Sequence, residues 1–368
     1  MEKIKKKLGF GMMRLPMDGD HVDRKATCQM VDEFIDAGFN YFDTARPYLQ
    51  GDSERAFKDC VSDRYPRDAY IITNKMSQGF FDKEEDIRPM VEDQLKTCGV
   101  DYFDFYLLHA QNKGNFGKYK RCHAYETAFE LKKEGKVRHV GLSFHDSAEF
   151  LEEILDTYPE IEVVQLQLNY LDFDDPAIQS RKCLEVCQKR NLPVIVMEPV
   201  KGGSLANLPK KADEIIRQRN EGSPASYAIR FAAGTDGVMM TLSGMSNPEQ
   251  MQDNLSYMKD FQPLNEEEHA MLDQVMDVFN SLNLIPCTAC HYCTDGCPQQ
   301  IRIPDLFAVY NQNKRENGGG EFYYNNALTK ENGKASDCIE CGQCEDACPQ
   351  HLPIRELLKE VAAQFEKN

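Results

Sequence analysis

From residue 8 to about residue 260, short apolar runs alternate with longer stretches in which apolar positions return at helical spacing. The runs are LGFG (8–11), NYFDT (40–44), YIITN (70–74), FYLLH (105–109), HVGLS (139–143), VVQLQ (163–167), VIVME (194–198) and VMMTLS (238–243). Short runs rich in β-branched and aromatic residues suit strands buried on both faces. Between them, ATCQMVDEFIDAG (26–38) and AYETAFELKKEG (124–135) carry helical spacing and end in glycine, a usual helix stop. Eight strands alternating with helices predict an α/β chain folded as a parallel (β/α)8 TIM barrel. A doubly wound open sheet is the rival. No G-x-G-x-x-G follows an early strand, which counts against it.

The pattern changes near residue 283. CTACHYCTDGCP (287–298) and CIECGQCEDACP (338–349) each read C-x2-C-x2-C-x3-C-P, the spacing of two-cluster ferredoxins. Three thiolates of one loop reach three corners of a cubane, and the fourth cysteine reaches the other cluster. By that rule Cys287, Cys290, Cys293 and Cys348 hold one [4Fe-4S] cluster; Cys338, Cys341, Cys344 and Cys297 hold the second. Zinc also binds paired C-x2-C, but four cysteines in one run, doubled, favour iron–sulfur. Helix-forming IPDLFAVYNQNK and a loose ENGGGEF separate the motifs, a gap that resembles helical ferredoxins more than compact small ones. His291, between two ligands, reads as exposed. The expected domains are a barrel over 1–283 and a small, mostly helical ferredoxin-like dicluster domain over 284–368.

Composition narrows the function classes. A formal net charge of −17 over 368 residues argues against nucleic acid, whose phosphates need a basic footprint; a basic redox partner protein is compatible with it. No apolar run is long enough for a membrane span, and MEKIKKKLGF has no apolar core of a secretory signal, so a cytoplasmic protein is expected. Oxygen-sensitive clusters point to an anaerobic cytoplasm. Of 14 cysteines, six lie outside the motifs: Cys28, Cys60, Cys98, Cys122, Cys183 and Cys187. They read as cytosolic thiols rather than a disulfide framework, with Cys183 and Cys187 packing on one helix face.

Four reactive groups stand at the ends of successive strands, where a barrel places its chemistry. DTARPY gives Asp43 and Tyr48, ITNK gives Lys75, and YLLH gives His109. A tyrosine hydroxyl is too weak an acid at neutral pH, but a nearby ammonium favours its phenolate. An aspartate orients the lysine, and a histidine opposite polarises a substrate carbonyl. Together they form a general acid that protonates oxygen while hydride arrives at carbon. Taken singly, a lysine after a strand is usually solvated, and a lone histidine is usually a satisfied polar residue.

Over residues 5 to 260 the sequence resembles the aldo-keto reductase superfamily, through GFGMMRLP, YFDTARPYLQGDSE, IITNK, DFYLLH, VRHVGLS, VVQLQLNY, EPVKGG and SGMSNPEQMQDNL. The resemblance implies a catalytic tetrad at Asp43, Tyr48, Lys75 and His109. It also implies a nicotinamide cofactor laid over the barrel mouth without a Rossmann fold, near Gly11 and Met13. Ser143 and Gln165 match the family's carboxamide-binding serine and glutamine, while Phe144 stands where asparagine is common. Met197 takes the place of an aromatic ring that covers the nicotinamide. Gly244, Met245 and Gln250 occupy places where many members grip a 2′-phosphate, so NADH is expected over NADPH unless Arg14 or a loop lysine substitutes. Asp253 and Asn254 match the adenine-side pair.

The resulting expectation is an oxidoreductase acting on a small carbonyl or alcohol, with electrons exchanged through two clusters. Hydride carries two electrons and each cluster takes one, so something divides the pair. No flavin motif is present, although a flavin stays open; so do a substrate radical and purely structural clusters. The rival function is a ferredoxin-type electron-transfer or redox-sensing protein whose barrel only binds nucleotide or a docking partner. The intact tetrad argues against it. The loop 110–127 is expected to line the substrate pocket.

Overall fold

The computed structural model describes residues 3–366 apart from 220, 317 and 319. Eight parallel strands close into a barrel: β1 (Leu8–Gly11), β2 (Tyr41–Asp43), β3 (Ile71–Met76), β4 (Phe103–Gln111), β5 (Val137–Phe144), β6 (Val163–Gln167), β7 (Val194–Met197) and β8 (Val238–Ser243). Each pairs with its sequence neighbour, and β1 closes on β8 through Leu8–Thr241. All eight runs predicted from the apolar pattern are these strands. Both glycine-ended stretches are helices, Arg24–Asp36 and Ala124–Lys133, and Gly38 and Gly135 beyond them take positive φ of 88° and 81°. A short antiparallel hairpin, Met17–Asp18 with His21–Val22, precedes the first helix.

Side chains on a strand alternate between faces, so one set in each strand points into the barrel. Tyr41, Ile71, Phe105, Leu107, Val163 and Ile195 form part of one buried cluster that fills the interior. Gly141 belongs to the same inward set for a steric reason. A Cβ there would stand 2.4 Å from both the carbonyl oxygen and a methyl group of Val163, so β5 and β6 pack in a way that only glycine permits. Two residues further along the same faces come Asp43, His109, Ser143, Gln165 and Met197, with Lys75 following Thr73 on β3. The period of two that builds the core thus delivers the polar residues to the ends of the strands.

The chain divides into two compact units, Met1–Pro199 with Ala225–Leu264, and Val200–Pro224 with Asn265–Asn368. In the second unit, helix Glu266–Leu282 packs on helix Lys210–Arg217. Its core joins helix Ile303–Glu316 to helix Ile354–Phe365 through Leu306, Phe307, Leu358 and Phe365. Ile301 and Gly333 form a parallel bridge. Of the glycine-rich gap between the cysteine motifs, Asn317 and Gly319 lie outside the described residues, and Gly320–Tyr323 is a short helix rather than a loose segment.

Two cysteines depart from the thiol reading. Cys28, on helix Arg24–Asp36, and Cys60, in the turn Lys58–Ser62, form a disulfide. Their separation of 32 residues carried no local signal; packing of that helix on the turn brings them together. Cys98, Cys122, Cys183 and Cys187 are buried free thiols. Among the described residues, no helix is long and apolar enough to cross a membrane.

Candidate functional site

Asp43 ends β2 and Lys75 lies near the end of β3, two positions beyond Thr73, the register partner of Asp43. Their side chains meet in the interior, with Lys75 Nζ 2.5 Å from Asp43 Oδ1 and 2.9 Å from the Thr44 carbonyl. Lys75 is wholly buried and Asp43 is 3 % exposed. Burial pushes the lysine below the ordinary ammonium range and the aspartate above the ordinary carboxylate range, and the charge of each partner opposes the push on the other. The ammonium lies 4.7 Å from the centroid of the Tyr48 ring. Tyr48 follows β2 at the start of the short helical turn Tyr48–Gly51, and its ring stands edge-on to His109 at 5.9 Å between centroids. The four candidate catalytic residues are therefore one buried group, drawn from three adjacent strands and the turn after β2.

His109 is 8 % exposed, and Ser77 Oγ lies 2.6 Å from its Nδ1. Burial, reinforced by the positive fields of Lys75 and His145, holds His109 well below the usual histidine range. Both effects favour the neutral imidazole. A serine hydroxyl donating to Nδ1 leaves the hydrogen on Nε2, where it can be offered to a carbonyl oxygen. Ser77 gave no sign in the sequence, because a serine two residues after a lysine fits any strand end.

Behind the tetrad a polar layer fixes β3. Gln94 Nε2 donates to the Lys75 carbonyl at 3.1 Å and to Glu54 Oε1 at 3.0 Å. Asn74 Nδ2 donates to Glu54 Oε1 at 2.9 Å, and Tyr106 donates its hydroxyl to Gln94 Oε1 at 2.6 Å. Arg46 lies beside Glu54 as an ion pair at 2.7 Å. Buried polar groups linked in this way hold a single arrangement, since breaking one link leaves the others unsatisfied.

The candidate cofactor residues fall around the same end of the barrel. Ser143 and Gln165 are register partners on β5 and β6. Ser143 Oγ accepts the Ala110 N–H at 2.7 Å, and Gln165 Nε2 donates to Asp43 Oδ2 at 3.2 Å, so both also brace the tetrad strands. Phe144 is one residue out of phase and packs against Phe150 on helix Ala148–Thr157; it offers nothing to a carboxamide. Gly11 is register partner to Asp43, and Met13 lies in the turn Met12–Arg14 after β1. Met197 ends β7 half-buried, followed by Glu198 at a positive φ of 56°. Arg14 reaches to 3.6 Å from Glu198, and a Cβ on Gly244 would sit 3.4 Å from the Arg14 side chain.

Met245 is buried, and Gln250 Oε1 accepts the Ser246 N–H at 2.7 Å. Asp253 and Asn254 lie on helix Pro248–Met258. Asn254 is 3 % exposed and its buried Oδ1 has no hydrogen-bond partner, an orphaned acceptor that an amino group of a bound adenine would satisfy. The donor set and this orphan fit a nicotinamide dinucleotide. The loop 110–127 begins as the end of β4 and continues into helix Lys113–Arg121.

In the second unit, Cys297, Cys338, Cys341 and Cys344 line one recess of about 330 Å³, counted to its open mouth. Cys293 lies within electrostatic reach of Cys290, Cys287 and Cys348, and burial raises its thiol well above the ordinary range. Each group draws three cysteines from one motif and one from the other. The thiols of the second motif, with Cys297, ring a space. Such a donor set suits a polynuclear cluster held at its corners. Backbone N–H groups already face these sulfurs, from Ala289 to Cys287 and from Ile301 to Cys297, each at 3.4 Å. His291 is exposed.

Residues 7–277 match the model of the aldo/keto reductase family. The chain belongs to that family. Residues 286–352 of this aldo/keto reductase match a 4Fe-4S dicluster domain. A 9,11-endoperoxide prostaglandin H2 reductase of Trypanosoma cruzi is 26 % identical over 273 residues, covering 73 % of this chain and 87 % of that protein. An NADH-specific methylglyoxal reductase of Escherichia coli is 25 % identical over 283 residues, covering 65 % and 84 %. Among solved structures, the holo form of aldo-keto reductase AKR11C1 from Bacillus halodurans has a TM-score of 0.60 at 24 % identity, covering 74 % of this chain and 92 % of its own. An aldo-keto reductase from Klebsiella pneumoniae in complex with NADPH also has a TM-score of 0.60, at 21 % identity, covering 74 % and 95 %. These likenesses show the barrel fold.

Proposed function

We propose that this aldo/keto reductase interconverts a small carbonyl compound and its alcohol with a nicotinamide cofactor, and that residues 284–368 carry two [4Fe-4S] clusters that exchange electrons one at a time. The observation that carries the catalytic reading is the buried ammonium of Lys75, held by Asp43 at 2.5 Å and placed 4.7 Å from the Tyr48 ring centre, beside a neutral His109. Tyr48 donates its hydroxyl proton to the carbonyl oxygen. Lys75 favours the phenolate that remains, and Asp43 holds Lys75 in place. His109, through Nε2–H, orients and polarises the carbonyl. When bound, the dihydronicotinamide supplies hydride. Ser143, Gln165 and Met197 are the groups to hold its nicotinamide end, and Asp253 with Asn254 its adenine end.

NADH is the preferred cofactor. Gly244, Met245 and Gln250 supply no cation where a 2′-phosphate would be gripped, and the charge of nearby Arg14 is already met by Glu198. The curated relative named for NADH specificity points the same way. The protein works in the cytoplasm, where the clusters are kept from oxygen. The deciding experiment is Tyr48→Phe, assayed anaerobically with NADH and a panel of aldehydes and ketones. Loss of the general acid lowers turnover by about a hundredfold to ten-thousandfold, with iron content unchanged. Near-wild-type turnover rules out the tetrad as the catalyst.

A further inference from the structure

The chain leaves the barrel unit after Pro199, spends Val200–Pro224 in the cluster unit, and returns at Ala225. The excursion begins with a sharply shaped turn. Lys201, Gly202 and Gly203 are three consecutive residues at positive φ, of 48°, 62° and 97°. Such backbone is rare outside glycine and holds only where its surroundings determine it. The surroundings of Gly202 are the backbone of Thr288. A Cβ on Gly202 would stand 2.3 Å from the Thr288 carbonyl oxygen and 2.7 Å from its Cα. Thr288 is the residue between Cys287 and Ala289 in the first ligand loop, so bare backbone packs on bare backbone beside the thiols of the first cluster.

The same chain segment opens with Met197 and Glu198, the residues we assign to the nicotinamide end of the cofactor and to Arg14. Gly202 lies four positions after Glu198. The backbone at Gly202 is thus held against the first ligand loop, and by chain continuity it leads directly to the cofactor residues. Cluster potentials respond to hydrogen bonds at sulfur and to solvent access, and Ala289, next to Thr288, gives its N–H to Cys287 Sγ at 3.4 Å.

We infer that Gly202 is a positioning residue for the cluster held by Cys287, Cys290, Cys293 and Cys348, and that through the turn Val200–Gly203 nucleotide binding in the barrel shifts the reduction potential of that cluster and not of the other. The inference rests on the nucleotide reading given above. Linkage makes the effect reciprocal: reduction of the first cluster changes nucleotide affinity by the same factor.

The test uses anaerobically purified holoprotein. Its two clusters are titrated potentiometrically and followed by paramagnetic resonance, alone, with saturating NAD⁺, and with ADP-ribose, which lacks the nicotinamide. Calorimetry on the oxidised and dithionite-reduced protein gives the two affinities. The expected result is a tenfold difference in NAD⁺ affinity, which is about 59 mV for a one-electron couple, confined to one cluster and absent with ADP-ribose. Gly202→Ala, by displacing the Cys287–Cys290 loop, alters the resonance of that same cluster and leaves the other signal as it was. NAD⁺ bound to saturation with neither potential moved overturns the inference and leaves the nucleotide reading standing. Equal shifts in both clusters, or an equal shift with ADP-ribose, overturn the route through Gly202. Absence of NAD⁺ binding overturns the nucleotide reading and the inference together. If Gly202→Ala does not fold, the wild-type potentials decide alone.

Discussion

Replacing Lys75 by methionine separates what the buried ion pair does for stability from what it does for chemistry. The substitution keeps the length of the side chain and removes its charge. Asp43, 3 % exposed, then keeps only the Gln165 amide at 3.2 Å, which is too little to stabilise a carboxylate taken out of water. Removing one partner of a buried pair costs about 3–5 kcal/mol, because the other charge is left uncompensated. Asp43 already sits above the ordinary carboxylate range through burial, and losing Lys75 raises it further. A carboxyl whose folded value is raised holds a proton that the unfolded chain has released above its ordinary value of about 4. The unfolded state then binds fewer protons, so stability falls as pH rises from about 4 up to the folded value.

Lys75→Met is therefore expected to unfold at lower urea than the wild type, and the gap widens between pH 5 and pH 8. Adding Asp43→Asn removes the orphaned charge and leaves an oxygen for Gln165, so the double variant regains most of the stability and loses the pH slope. Catalysis does not return in either, because Tyr48 has lost its ammonium; turnover stays down by about a hundredfold or more. Urea titrations at the two pH values with NADH turnover on the same samples make the measurement. A double variant no more stable than Lys75→Met, or a Lys75→Met protein with wild-type turnover, refutes the reasoning.

His109 gives an acid-side counterpart. Its folded value is depressed, so below about 6.5 the unfolded chain binds a proton that the native one refuses, and stability falls by up to about 1.4 kcal/mol per pH unit; His109→Gln flattens urea midpoints between pH 6.5 and 5, and an unchanged slope counts against a buried neutral imidazole. Calorimetry is expected to show NADH binding at least tenfold more tightly than NADPH, the value of a missing charge-assisted phosphate contact; the reverse preference reveals a cation from another loop. Anaerobic protein should be brown, with about eight iron and eight sulfide per chain, and bleach in air; colourless protein with one or two zinc per chain contradicts the cluster reading. NADH added alone to flavin-free oxidised protein should leave the clusters oxidised while dithionite reduces them, because hydride delivers electrons in pairs; rapid bleaching by NADH alone refutes that argument.

The alternation of apolar runs with helical spacing was enough to place all eight barrel strands, because a parallel strand buried on both faces is apolar along most of its length. The same period of two carried Asp43, Lys75 and His109 to the strand ends, and the cysteine spacing set three of the four thiols of each group in one loop. These features are local, and a one-dimensional pattern records them. What tertiary structure alone decided are contacts between residues far apart in number. Ser77 meets His109 across adjacent strands, and Gln165 meets Asp43 across the barrel, 122 residues away. Phe144 turns outward because it is one residue out of phase with Ser143. Cys28 and Cys60 join because a helix packs on a turn. Gly202 lies against Thr288 because the segment after β7 folds into the cluster unit. None of these leaves a mark in composition or spacing: serine, glutamine and glycine are each at home in many places, and only closing the barrel and packing the cluster loops fixes which neighbour each one meets.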